Sequence, residues 1–207
     1  MTFTELKKLI ESDVEKNASD GRFGIEIARA HSFMSYLFPK SGWEFSSLNK
    51  DVTISSLAIE ELYLPAVRGD GNYRTKFSPE EWTSVIRNRF ARFKWDPRFD
   101  ESQVLEFIGT DSTMIYSVQK GSWPIGPRDL LTINSITVTD DSSEYISHSI
   151  DDSYAPESRD PARTRAVILI AGWRITSEGD QIKASYVVHV DPKGSIPSCI
   201  AILTQRL

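Results

Sequence analysis

The residues best suited to chemistry are few and scattered along the chain. His31, His148 and His189 include no pair at i and i+4 with a glutamate between them, so no metal-binding set is expected. Cys199, the only cysteine, sits in the apolar run IPSCIAIL and reads as a packing residue rather than a nucleophile. No Gly-x-Ser-x-Gly elbow occurs, and GDGN and GSWPIG fit neither a dinucleotide nor a P-loop glycine pattern. No catalytic residue and no cofactor are therefore expected. An enzyme would have to draw on Glu106, Asp111 and His148, and none of these has an evident partner in the sequence. The segment RNRFARFKWDPR places Arg87, Arg89, Arg92, Lys94 and Arg98 between aromatics. It reads first as the solvated face of an amphipathic helix, then as a contact for anionic lipid headgroups, and last as one for nucleic acid.

The elements that must position any site alternate between two hydrophobic periods. Residues 2–18 form an expected helix, with Thr2 and Glu5 at capping-box spacing and Phe3, Leu6, Ile10 and Val14 on one stripe. Residues 25–38 form a second helix, ended by Pro39. WEFSSL and VTISSLAI read as a hairpin around Asn49-Lys50-Asp51, and ELYLPAVRG as a third strand closed by a turn at GDGN. Ser78, Pro79, Glu80 and Glu81 open a helix whose face carries Trp82, Val85, Ile86, Phe90 and Phe93, with Trp95 and Asp96 anchoring its end in the core. Strands follow at 103–108, 113–119, 129–138 and 145–150. A polar loop spans 151–163.

The chain then closes with TRAVILIAGWRI, the turn ITSEGDQ, IKASYVVHV and a helix beginning at Ile196. An inward register of Val167, Leu169, Ala171 and Trp173 on one strand, and of Ile182, Ala184, Tyr186 and Val188 on the other, gives an apolar face with small residues interspersed. On the terminal helix Ile196, Ile200, Leu203 and Leu207 share a face. Helices segregated from a mostly antiparallel sheet make the fold class α+β.

The chain has 207 residues, enough for a substantial core, and its 40% hydrophobic and 26% charged content is that of a globular protein. A net charge of −5 argues against a general nucleic-acid binder. One cysteine fits a reducing compartment, no apolar run reaches membrane-spanning length, and the acidic amphipathic start is unlike a targeting peptide. A cytoplasmic monomer of one domain, in peripheral contact with membranes at most, is the expectation. Residues 2–38 would be its N-terminal helical segment and 42–207 its main body.

Several segments in collinear order resemble the START domain (steroidogenic acute regulatory protein-related lipid transfer). They are LPAVRGDG, the helix opening SPEEW, KWDPRFDESQVLEF, GPRDLLTI, AGWRI and SYVVHVDPKGSIPS. The resemblance covers about residues 42 to 207. It implies a helix-grip fold, a curved antiparallel sheet wrapped around a C-terminal helix with a lipid-sized cavity between them. It implies a single lipid ligand, a sterol or a phospholipid, carried between membranes without chemical change. Alternatives on the same fold are a lipid-sensing regulatory module and a small-molecule cyclase or hydrolase.

The ligand-binding residues that this implies are Asn134, Leu169, Ala171, Trp173, Ala184, Tyr186, Val188, Ile200 and Leu203. Many relatives place a cavity-facing arginine six positions after the Pro-Arg-Asp arginine, and the count from Arg128 gives Asn134. A neutral hydrogen-bonding anchor is therefore expected in place of a charged one. Family terminal helices run a few turns longer than the stretch from Ile196 to Leu207. The loop from Lys120 to Pro127 looks like a gate, with Trp123 and Ile125 apolar where a loop is usually polar and suited to transient membrane contact. Arg128 and Asp129 are expected to pair at the corner between loop and strand.

Overall fold

A computed structural model of the chain describes residues 1–122, 125–156, 160–194 and 196. Helix α1 spans Phe3–Asn17 and is closed at its start by the expected reciprocal capping box of Thr2 and Glu5. Helix α2 spans Gly24–Leu37. Gly24 is required there, because a Cβ would come within 2.1 Å of the Ser19 carbonyl oxygen. Leu6, Ile10 and Val14 of α1 interlock with Ala30, Phe33, Met34 and Leu37 of α2 in the largest buried cluster.

Among the described residues ten strands form one sheet. They are β1 (Glu44–Asn49), β2 (Val52–Leu57), β3 (Ala66–Arg74), β4 (Phe99–Ile108), β5 (Ser112–Gln119), β6 (Arg128–Val138), β7 (Ser142–Ser149), β8 (Thr164–Arg165), β9 (Val167–Glu178) and β10 (Gln181–Asp191). Their order is β1-β2-β3-β10-β9-β7-β6-β5-β4, antiparallel throughout, with the short β8 running parallel to β6. The fold class is thus the expected α+β, with the sheet left open.

Four local expectations are corrected. GDGN is not a turn; it lies inside β3, where Gly69 and Gly71 pair with Tyr186 and Ala184 of β10. The closing hairpin turn is tighter than ITSEGDQ, since β9 continues to Glu178 and Gly179 takes up the positive φ. The helix opened by Ser78 breaks at Asn88 into α3 (Pro79–Arg87) and α4 (Arg89–Trp95). The Asn88 side chain accepts from the backbone N–H groups of Phe90 and Ala91, which lets a new helix start where the old one stops. Trp95 is 44% exposed rather than sunk in the core.

The two faces of the sheet are covered differently. Helices α1 and α2 pack on one face through Ile146, Ile170 and Val187. Helix α3 sits on the other, with Trp82 and Ile86 against Tyr73, Trp173, Ile175, Ile182 and Ala184. At Gly172 a Cβ would come within 2.4 Å of the Met34 sulfur, so this glycine lets α2 lie close on the first face.

Candidate functional site

The face opposite α1 and α2 carries the residues of interest, and strand register decides which they are. Across β6, β7, β9 and β10, Asn134 stands opposite Ser147, Ser147 opposite Ala171, and Ala171 opposite Val188. The neighbouring row runs Tyr145, Trp173, Tyr186 and Gly69. Side chains directly opposite in a ladder share a face. Asn134, Ala171, Trp173, Ala184, Tyr186 and Val188 therefore lie together on this face.

Leu169 does not. A β-bulge puts two steps of β9 against one of β10, since Ile170 pairs with His189 and Ile168 with Val190. The extra residue, Leu169, packs instead with the α1–α2 cluster. Ile168 takes the place expected for Leu169, beside Leu130, Ala166, Ala171, Tyr186, Val188 and Val190. His148 secures the bulge by donating from Nδ1 to the Leu169 carbonyl at 2.6 Å. Its burial holds the imidazole pKa below the ordinary value.

The site face has two halves. Trp173 and Ala184 lie under α3, in contact with Trp82 and Ile86. The half formed by Leu130, Ala166, Ile168, Ala171, Tyr186, Val188 and Val190 consists of strand residues and of Ala166 between β8 and β9, with no described helix in the cluster. Trp173 and Tyr186 join the halves, their ring centroids 4.6 Å apart. Trp123, Ile200 and Leu203 lie outside the described residues.

A polar knot interrupts this apolar surface. The Asn134 Nδ2 donates to Thr132 Oγ1 at 2.9 Å, and its Oδ1 accepts from the Tyr145 hydroxyl at 3.1 Å and from the Ser147 hydroxyl. Asn134, at 5% exposure, thus has both carbonyl lone pairs occupied. The open capacity lies on the partners, since the Tyr145 and Ser147 oxygens still have lone pairs to offer. Burial raises the phenol pKa values of Tyr145 and Tyr186 above the ordinary value, so both remain protonated near neutrality. Thr132, Tyr145 and Ser147 were not singled out by sequence reading. They share the face of Asn134 only through cross-strand register, which alternation within one strand does not give.

Arg128 and Asp129 do not pair with each other. Asp129 is fully buried and accepts from Arg165 at 3.0 and 3.1 Å and from the Tyr116 hydroxyl at 3.0 Å. Arg128 donates to three carbonyls instead: Gly126 at 2.8 Å, Pro192 at 2.9 Å and Lys193 at 3.1 Å. One guanidinium thereby ties the loop ending at Pro127 to the Asp-Pro-Lys-Gly turn after β10. Ile125 is half-buried, and its N–H donates to the Ser122 carbonyl at 2.7 Å.

The groups an enzyme would have needed are dispersed. Glu106 pairs with Arg22 at 2.8 Å, and Asp111 sits in the β4–β5 turn. His148 faces α2, stacked on Phe33 with centroids 5.6 Å apart. Among the described residues no group of three or more His, Cys, Asp or Glu is placed to hold a metal, and no described helix is long and apolar enough to cross a membrane. Two recesses, of about 400 and about 200 Å³, lie on the side of α1 and α2. Neither is lined by Asn134, Tyr145 or Tyr186. The polar knot within an apolar face is the better-built candidate, because its groups converge on one spot.

The START domain model matches residues 37–203. Among solved structures, human STARD10 is similar over 86% of this chain and 72% of its own, at 21% identity and a TM-score of 0.73. Human StAR-related lipid transfer protein 5 is similar over 98% of this chain and 90% of its own, at 15% identity and a TM-score of 0.75. A STAR-related lipid transfer protein from Xanthomonas axonopodis covers 80% of this chain and 90% of its own fragment, at 21% identity and a TM-score of 0.66. No curated protein matches. With the model spanning most of its length, and with the helix-grip arrangement of its sheet and helices, the chain belongs to the START domain family.

Proposed function

We propose that this protein binds one lipid molecule against the face carrying Asn134, Ala171, Tyr186 and Val188 and carries it between membranes without changing it. The observation that carries this reading is the uncharged polar knot of Asn134, Thr132, Tyr145 and Ser147 set into an otherwise apolar face. Half of that face has no described helix in its cluster, and Ile200 and Leu203 of the terminal segment are the proposed cover. The protein acts as a cytoplasmic monomer of one domain and touches membranes transiently through Trp123 and Ile125.

The knot also favours a ligand class. Tyr145 and Ser147 spend their hydrogens on Asn134, which leaves oxygens that accept. A lipid hydroxyl can donate to such oxygens, whereas a carboxylate or phosphate offers only acceptors. Asn134 thus acts as the organiser of the anchor, and a sterol or another neutral hydroxyl-bearing lipid is the favoured ligand. Burial of each methylene is worth about 0.8 kcal/mol, so a ligand of sixteen such carbons gains about 13 kcal/mol and leaves into water slowly. Release therefore calls for a mouth that opens at a membrane. Arg128, holding both the gate loop and the turn after β10, is placed to make these two move together.

Native mass spectrometry of purified protein tests the reading. One co-purifying neutral lipid per chain is expected. Protein that stays empty when offered sterol- and phospholipid-containing vesicles would refute it. The Trp123→Ala variant should keep its ligand capacity and lose liposome association and transfer rate, and unchanged transfer would remove the gate role.

A further inference from the structure

Helix α4 lies mostly at the surface, with its Phe93 ring meeting the buried Phe99 at a centroid distance of 4.8 Å. None of its seven residues is buried, and Phe90, Phe93 and Trp95 are 70%, 52% and 44% exposed. Val85, one turn before the Asn88 break, is 52% exposed as well. Aromatic side chains have large apolar area to lose from water, and a cluster of them in the open marks an interaction surface.

Charge identifies what that surface meets. Between Arg87 and Arg98 the chain carries five cations and a single acid, Asp96, although its net charge is −5. Asp96 is held by Arg92 at 2.8 Å. Arg87 and Lys94 are exposed beside Phe90 and Phe93, and the Arg89 guanidinium lies 4.7 Å from the centre of the Phe90 ring. Rings that can enter a headgroup layer, flanked by cations that stay at its surface, form the interfacial pattern of a peripheral membrane protein. The patch also adjoins the proposed gate, since the Lys120 N–H donates to the Arg98 carbonyl at 2.7 Å at the base of that loop.

We infer that α4 and the Asn88 corner form a docking surface for anionic phospholipid membranes, which brings the gate loop to the bilayer. This deepens the transfer reading and rests on it in one respect, that the loop beside α4 is where lipid passes. Docking itself is measured independently of cargo.

The experiment is co-sedimentation of the full chain with phosphatidylcholine vesicles, with and without phosphatidylserine, at low and high salt. Wild-type protein should bind the anionic vesicles more strongly and lose that preference in high salt. Each cation removed should lower partitioning about fivefold, so Arg87→Ala with Lys94→Ala should lower it about 25-fold. Phe90→Ser should weaken binding to both kinds of vesicle. Native mass spectrometry on the same variants should still show bound lipid; cargo without docking preference refutes the docking surface alone, and docking without cargo refutes the transfer reading alone. Equal binding of the charge variant and the wild type would overturn the inference. So would a Phe90→Ser variant that binds vesicles normally but melts earlier or is cleaved faster within 197–207, since the aromatics would then be the seat of the chain's own C-terminal segment.

Discussion

The two faces of the one sheet are built from similar residue types to different ends. Toward α1 and α2 the strands present Ile146, Ile170 and Val187, all fully buried, and they meet Leu6, Ile10 and Met34 in a close-packed interior. Toward the other side they present Gly69, Ala171, Ala184, Val188 and the partly buried Tyr186, with a hydrogen-bonded knot among them. The first face gains stability from volume that is filled. The second alternates small residues with aromatics and leaves one half without a described helix. Hydrophobicity alone does not separate the filled core face from the proposed binding face; the difference lies in residue size and in where polar groups are admitted.

Substitutions that act on one face and spare the other test this contrast. The largest effect is expected at Ile170→Ala, which should cost about 2–5 kcal/mol in chemical denaturation with ligand class unchanged. A loss under about 1 kcal/mol there would mean that the α1–α2 side is no better packed than the other. Asn134→Leu comes next, because it strips Tyr145, Ser147 and Thr132 of their shared partner; about 1–3 kcal/mol of stability should go, and hydroxyl-bearing lipids should lose their preference over other lipids. Intact selectivity in a competition assay would deny the knot its anchoring role.

Ala171→Leu sharpens the comparison most directly. Within a packed core the added bulk should cost about 1–3 kcal/mol, whereas on a wall facing ligand space it should cost less than about 1 kcal/mol and instead reduce the lipid recovered with the protein. The smallest effect is expected from pH. His31, His148 and His189 all lie on the α1–α2 side or its edge, and burial lowers each below the ordinary value of 6.5. The unfolded chain then binds more protons than the folded one below about pH 6.5, so stability should fall as pH drops through that value toward the lower folded-state values. A melting temperature that stays flat from pH 7 to about pH 5.5 would show that these rings are free to charge in the fold.

Much of the architecture was legible in the chain. The capping box at Thr2, the N-cap at Ser78, the Asn49–Asp51 hairpin and the long β-rich closing runs are local signals, and local physics decides them. Ala171, Tyr186 and Val188 follow from alternation once an inward register is assumed for the closing strands, whereas Asn134 came from the family resemblance, and only the cross-strand register joins it to them. Leu169 was misplaced because a bulge depends on how β9 meets β10, and no residue of β9 announces it. The GDGN segment misled for a related reason: its glycines resemble a turn, but in β3 they stand opposite Tyr186 and Ala184. Pro192 and Lys193, which hold Arg128, and Arg165, which holds Asp129, lie dozens of residues away, so neighbouring opposite charges suggested a pair that tertiary packing does not make.

The Leu169 bulge also limits how β9 can change in length. Removing Leu169 would leave Ile168 and Ile170 on the faces they already occupy, and the ladder with β10 would become regular. A deletion from Ala171 onward would turn part of the strand over, sending residues of the Asn134 face toward α2 and the reverse. The strand thus contains one residue that is spare in register though not in bonding, since its loss would leave the buried His148 Nδ1 without its carbonyl partner. Single-residue deletions scanned along 167–178 should therefore be tolerated best at this point.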